Sequence, residues 1–399
     1  MATIYSSPFP HCSSIISTTR RSVNKTDISL LPAAASHFTR RDFPRTRVAV
    51  SLPAGNIINA DYLETEFSGR AHGVTFTQIS DSCVVRMALE SGSVANILLP
   101  SGLITSYKAE MWHGGVVEIL HTSVSQGEEE EEEDGSAVIQ GGVSVAVDCY
   151  NDQGLSWSPK TWAFHQLKGS PKEDFIQLQV ELMSKNTEAN VEIKHIVTLK
   201  QYCLKSEINI FNHNTLPLRM SGSVLGHLTV STPEATYAVG LQHSDFFNRP
   251  PFSTDYGIIP PGFGKRKNQT STNFWDPAGI VGIFSRSGTR NAAEKAEGES
   301  EDEIEGEETD NYKCLIDEMS KIYRHAPRDI TIIDRGRRNS VIVGREGFKE
   351  VYMLSPGSRH DSYGKYAYIC IGQAAVLEPI VVESQGEWRG VHRLHNPNT

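Results

Sequence analysis

The feature that most restricts this 399-residue chain is a series of short runs alternating apolar and polar residues, broken by Gly, Pro and Asn, with no long amphipathic helix between them. From about residue 60 the pattern becomes β. Residues 74–79 (VTFTQI) and 82–87 (SCVVRM) put successive side chains on opposite faces, the period of a strand. Similar runs fall at 143–149, 161–167, 175–182, 191–199, 203–212, 220–228, 235–239, 330–334, 340–344 and 350–354, and 95–99 leads into Pro100-Ser101-Gly102. Such strands hide one face each, so a chain with many of them must stack sheet on sheet. The expected fold is all-β, a large antiparallel β-sandwich.

Charge is unevenly placed. Of the net charge of -10, residues 128–134 carry -7, residues 291–310 carry -9, and the first fifty residues carry +5, which leaves the remainder near +1. The acidity therefore belongs to two insertions, 127–135 and 291–310, expected to be disordered or ordered by a partner. A Pro- and Gly-rich stretch, 248–277, precedes the second. No basic stripe suggests nucleic acid, and no apolar run approaches the ~18–20 residues of a membrane span. The six cysteines, at 12, 83, 149, 203, 314 and 370, show no metal-ligand or disulfide spacing. Residues 1–48 are rich in Ser, Thr and Arg, poor in acids, and lack the apolar core of a secretory signal. They read as an organellar transit peptide, chloroplast before mitochondrion, with a disordered basic tail as the alternative. The folded domain is expected over 55–399.

The C-terminal stretch 366–394 carries the most information. An apolar run, Tyr368-Ile369-Cys370-Ile371, meets a small-residue step, Gly372-Gln373-Ala374-Ala375. A strand is expected to resume over 379–383, turn at Gln385-Gly386-Glu387, and leave through Trp388-Arg389-Gly390. This closing segment resembles that of the aldose 1-epimerase (galactose mutarotase) superfamily, most closely its hexose-6-phosphate 1-epimerase-like branch. Four further pieces keep the family's order: 101–108 (SGLITSYK), 112–118 (WHGGVVE), 323–334 (YRHAPRDITIID) and 346–356 (EGFKEVYMLSP). The likeness covers about 60–394 and implies a galactose mutarotase-like supersandwich.

Opening an aldose ring needs a base for the anomeric hydroxyl and an acid for the ring oxygen, each within hydrogen-bond reach. The resemblance puts the family's glutamate base at Gly372, followed by Gln373. It puts the acid histidine at Leu225, or at His227 with a two-residue shift. A second histidine and an arginine of the family pocket fall on Gly154 and Ser158, and the arginine opening its R-G-G segment falls on His113. His113, Lys160, His227, Gln373 and Glu378 remain as a possible residual pocket, with His227 and Glu378 a conceivable replacement pair. Lys160 could meet an anion, though a lysine at a strand end is more often simply solvated. The tryptophans could stack on sugars, but core packing is their default.

A transit-like leader joined to a depleted epimerase site is similar to the mutarotase-fold subunits of subcomplex B of the chloroplast NAD(P)H dehydrogenase-like (NDH) complex. That likeness implies a non-catalytic peripheral subunit on the stromal side of the thylakoid membrane. Its partners would be other subcomplex B subunits and, through them, the membrane arm and photosystem I. The complex supports electron transfer to plastoquinone in cyclic electron flow and chlororespiration. No cofactor is expected on this chain, which has neither an iron–sulfur cysteine cluster nor a dinucleotide glycine fingerprint. A carbohydrate-binding protein, or an epimerase with rearranged groups, is the alternative.

Overall fold

The strand Cys203–Asn212 shows how the alternation is used. Leu204, Ser206, Ile208, Ile210 and Asn212 turn inward, while Lys205, Glu207, Asn209 and Phe211 lie on the more exposed face. The computed structural model describes residues 59–67, 72–111, 113–126, 137–170, 177–264, 306–358 and 365–397. Among them, antiparallel strands form a 13-stranded sheet, a 9-stranded sheet and a two-stranded ribbon. The centre of the first sheet runs Val143–Tyr150, Leu218–Thr229, Tyr368–Val382, Glu350–Ser355, Met319–Arg324. The second places Cys203–Asn212, Glu387–His395 and Asn339–Glu346 side by side. Ile193, Val197, Ile208 and Leu394 of the second sheet pack with Val224, Ile369, Ile371 and Met353 of the first in one apolar core. The all-β sandwich is therefore the fold. The leader, residues 127–135 and residues 291–305 lie outside the described residues.

Three local expectations change. Residues 60–67 form a helix, Ala60–Phe67, instead of opening the β pattern. Leu63 and Phe67, one helical turn apart, are both buried, and Phe67 meets Phe164 edge-on at 4.7 Å. The helix also shields a sheet edge, since Glu64 Oε2 accepts the Phe76 N–H at 3.2 Å. The step at 372–375 is not a break: Tyr368–Val382 is one 15-residue strand running through it. Finally, the end of the second acidic insertion is folded. Gly306–Glu307 pairs with Asp245–Asn248, and buried Glu308 lies 3.5 Å from Lys313 Nζ and 3.6 Å from Lys321 Nζ.

Polar side chains are built into the space between the sheets. His195 Nε2 lies 2.8 Å from Ser206 Oγ, with Trp162 edge-on to the ring at 5.6 Å. Ser206 is the register partner of His392. His392 Nδ1–H donates across the sandwich to Gln373 Oε1 at 3.0 Å. Burial holds the His195 imidazole down to about 3 and that of His392 to about 4, so both are neutral in the folded protein. The unfolded chain binds these protons near 6.5, and the folded chain only well below that. Protons therefore favour unfolding, and stability present at pH 7 is lost as pH falls from about 6.5 towards 4. Each histidine contributes on the order of 3 kcal/mol to that loss. Urea titrations at neutral pH and at about pH 4.5 are expected to show it, with a shallower pH slope in His392→Gln.

Candidate functional site

The three central strands of the first sheet set up a grid of side chains on the face turned away from the second sheet. Register gives the rows Ser223–Ala374–Glu350, Leu225–Gly372–Tyr352 and His227–Cys370–Leu354. The sequence-expected acid and base positions thus do meet, since Leu225 and Gly372 are direct partners. What meets there is an isobutyl group and a hydrogen atom.

Gly372 could hold nothing larger. A Cβ built on it would fall 2.0 Å from the Val224 carbonyl oxygen and 2.9 Å from Leu225 Cα, both backbone atoms. Gly222, on the neighbouring strand, is pressed by the Ala146 carbonyl in the same way, at 2.2 Å. The backbone has closed over the place where a catalytic carboxylate would begin.

The face itself is covered by the chain's own residues 249–264. Phe252 stacks on Tyr352 with ring centroids 4.0 Å apart and planes at 16°. The Tyr368 hydroxyl donates to the Ile258 carbonyl, and the Ile258 N–H donates to His227 Nε2 at 3.4 Å. The strap is tied at both ends: Arg249 N–H donates to Ser320 O at 3.1 Å, and Gly264 N–H to Glu318 Oε1 at 2.5 Å. Between these ties lies a second apolar cluster that includes Leu225, Ile258, Tyr352, Leu354, Tyr368 and Cys370. An open sugar cleft would present polar groups to solvent. This one has an apolar lining that is already occupied.

His227 is 2% exposed. Desolvation holds its imidazole down to about 4, with a small further push from His121. It is therefore neutral near pH 7, and its Nε2 lone pair already accepts a hydrogen bond. A general acid has to carry the proton at that moment, so this imidazole is set against the role. Tyr368 lies between His227 and His121, 5.3 Å from the first ring and stacked on the second at 5.4 Å.

The remaining candidates do not gather around it. Gln373 is one residue from Gly372 and so faces the opposite side, where it bonds His392. Glu378 stands on the surface, 47% exposed at its side chain, in ion pairs with Lys349 and Arg324. The Lys349 hydrogen bond, ahead of other influences, holds its carboxyl below the usual range. The His227–Glu378 replacement pair is thus not assembled. His113 is exposed at the turn between Leu103–Glu110 and Val116–Glu118, its Nδ1 accepting the Gly115 N–H at 3.2 Å. Lys160 is exposed in the connection before Ala163–Ser170. Neither lies under the strap. Of the tryptophans, Trp162 is core, Trp157 and Trp388 pack partly buried against it, and Trp112 and Trp275 are outside the described residues.

Sequence reading missed Glu350. It is 1% exposed, and its carboxylate accepts N–H groups from Val376, Leu377 and Glu378 at 2.8, 3.1 and 2.7 Å. Those residues form an irregular step, because pairing jumps from Gly222↔Ala375 to Met220↔Ile380. Burial raises its affinity for a proton, against the pull of these donors. It stands two rows from His227, about 13 Å along the strands at ~3.3 Å per residue. Among the described residues, no acid–base pair spans the face.

No family model matches this chain. It is 43% identical over 346 residues to the Arabidopsis thaliana protein NDH-dependent cyclic electron flow 5, covering 86% of this chain and 83% of that one. Two crystal structures share the fold at low identity. YeaD of Salmonella typhimurium, a provisionally assigned mutarotase, superposes with a TM-score of 0.51 at 13% identity, over 81% of this chain and 93% of that one. A galactose mutarotase-like protein of Clostridium acetobutylicum gives 0.50 at 14%, over 82% and 98%. Gly372→Ala is expected to destabilise the protein by about 3 kcal/mol or more, because backbone must move to admit the methyl group. A urea midpoint equal to or above the parent's would contradict that crowding.

Proposed function

Because the chain belongs to the family of the Arabidopsis thaliana NDH-dependent cyclic electron flow 5 protein, we propose that it acts in NDH-dependent cyclic electron flow as a non-catalytic, peripheral structural subunit. Its place in this reading is subcomplex B of the chloroplast NDH complex, on the stromal side of the thylakoid membrane. There it supports electron transfer to plastoquinone without carrying electrons itself. The family relationship supplies the process. The single structural observation that supports a scaffold over an enzyme is the Leu225–Gly372–Tyr352 row, sealed beneath residues 249–264.

Removing one positioned acid or base typically costs ~10²–10⁴ in rate. Here the base position has no side chain, the neighbouring imidazole is unprotonated and engaged, and the face holds Phe252 and Ile258 in place of a substrate. What the fold retains is a rigid double sheet with large surfaces. Interfaces of stable assemblies need on the order of 800 Å² per partner, well within the reach of a sandwich this size. The Ser-, Thr- and Arg-rich leader at 1–48 supports delivery to the chloroplast. No helix among the described residues is long and apolar enough to cross a membrane, which suits attachment through partner subunits.

Two measurements test the reading. On native gels of solubilised thylakoids the protein is expected to migrate with the large NDH assembly, and migration solely as a stromal monomer would refute it. In NMR exchange spectroscopy, anomer interconversion of glucose 6-phosphate is expected to be unchanged by the protein. Acceleration abolished by His227→Gln would instead favour an epimerase, and saturable hexose binding by calorimetry a carbohydrate-binding protein.

A further inference from the structure

The outer face of the second sheet has two unlike halves. Around Cys203–Asn212 it is charged and mated: Lys194 Nζ lies 3.2 Å from Glu181, Arg389 2.9 Å from Glu207, and Arg393 3.5 Å from Glu346. Towards the edge strand Tyr312–Cys314 it is apolar. Register lines up Tyr312, Val239, Thr331 and Ile342 in one row, and Tyr237 and Ile333 in the next. Their chain neighbours Ala238, Ile332 and Val341 point the other way, into the core. The rows therefore point outward. Tyr312 is 57% exposed, and the others are half-buried and belong to neither apolar core. The first row continues through His395 and Cys203 to Lys200, about 29 Å from Tyr312 at ~4.8 Å per strand. An apolar strip of this extent on an outer face marks an interaction surface.

The charges on the strip select its occupant. The Arg335 guanidinium lies over the Tyr237 ring, 4.5 Å from its centroid, and Arg338 is exposed in the same turn. Lys200 closes the far end of the first row. Among the described residues none of these three cations is in an ion pair. The acids nearby are differently placed. Asp310 is held by Lys313 at 3.9 Å and Asp329 by Arg393 at 3.1 Å, while Glu234 and Asp317 are exposed past the edge strand, off the rows. A complementary surface is thus apolar along its middle and acidic where it meets Arg335 and Lys200. Two copies of this chain pairing through the strip would bring cation to cation. A bilayer is entered by side chains that protrude, whereas these rows, Tyr312 apart, lie flush with the sheet. We propose that the strip is the docking surface for a partner protein with an apolar face fringed by Asp and Glu, contacted by Tyr237, Tyr312, Ile333 and Arg335. The inference rests on the reading of the chain as a structural subunit and gives that reading a contact surface.

The test is made in thylakoids supplied with the full chain in place of their own copy. Carbodiimide, which joins an amine to a carboxylate without a spacer, is expected to couple Lys200 to an aspartate or glutamate of a different polypeptide. Ile333→Lys and Arg335→Glu are each expected to cut that product about tenfold while keeping the parental urea midpoint. Lys185→Glu, exposed on the charged half, is expected to leave it unchanged. Should Ile333→Lys not fold, Arg335→Glu, at an exposed position, decides. Migration with the NDH assembly is read separately. Protein that joins the assembly equally well with and without these substitutions overturns the surface and leaves the subunit reading intact. Protein absent from the assembly, yet still coupled through Lys200 to another polypeptide and released by Arg335→Glu, overturns the subunit reading and leaves the surface. The surface also falls if no product forms or if the product survives both substitutions. Coupling of Lys200 to a second copy, or to residues 291–305 of its own chain, would give the strip a different occupant and overturn the proposal. So would binding of the purified protein to phosphatidylglycerol vesicles that Arg335→Glu abolishes, which would assign the face to the membrane.

Discussion

The approach of the Val224 carbonyl to Gly372 governs the central strands of the first sheet. At 2.0 Å from an ideal Cβ position, that oxygen leaves room for hydrogen alone. The same closeness recurs one strand over, at Gly222 and the Ala146 carbonyl. Three neighbouring strands are therefore drawn together by glycines beside the row that pairs Leu225 with Gly372. Backbone packing and a base compete for the same volume, and backbone has won. With no carboxylate in this row to hydrate, the face above it can be dried, and the aromatic Tyr352 fills the end of the row.

Drying that face has its own demands. Tyr352, Tyr368 and His227 are each almost fully buried, and a buried polar group left without a partner costs about 1–3 kcal/mol. The strap answers most of them with its backbone, His227 Nδ1 excepted. The Ile258 carbonyl takes the Tyr368 proton, the Ile258 amide caps His227 Nε2, and the Phe252 amide reaches the Tyr352 hydroxyl at 3.4 Å. A substrate sugar would offer hydroxyls to these same atoms. The strap thus works as a permanent ligand made of polypeptide, and the face it covers becomes a second apolar cluster against the sheet.

How much of this could be read beforehand depended on whether a segment's constraints were local. Cys203–Asn212 was legible because Lys205, Glu207 and Asn209 mark its outer face in plain alternation. Tyr368–Val382 was misread as two pieces because its first eight residues are buried on both sides, so alternation vanishes and Gly-Gln-Ala-Ala looks like a step. The parity of Gln373 was available from spacing alone, since adjacent residues in a strand face opposite ways. Helix Ala60–Phe67 also left a signal, Leu63 and Phe67 four apart. The strap left almost none. Its anchors join residues 100 and 110 positions distant in sequence, and nothing local in a Pro- and Gly-rich stretch says which face it will cover.

The two faces of Tyr368–Val382 meet different surroundings. Gly372 looks towards the strap and Gln373 towards the second sheet, where its bond to His392 ties Tyr368–Val382 to Glu387–His395. A sliding of one sheet on the other would break that bond inside a dry layer, so Gln373 and His392 fix how the sheets sit together. The neighbouring pair His195 and Ser206 instead links Val191–Lys200 to Cys203–Asn212 within the second sheet. None of these four groups faces the covered cleft. The placement of one sheet on the other therefore rests on a hydrogen bond that lies on the opposite side of Tyr368–Val382 from the covered face.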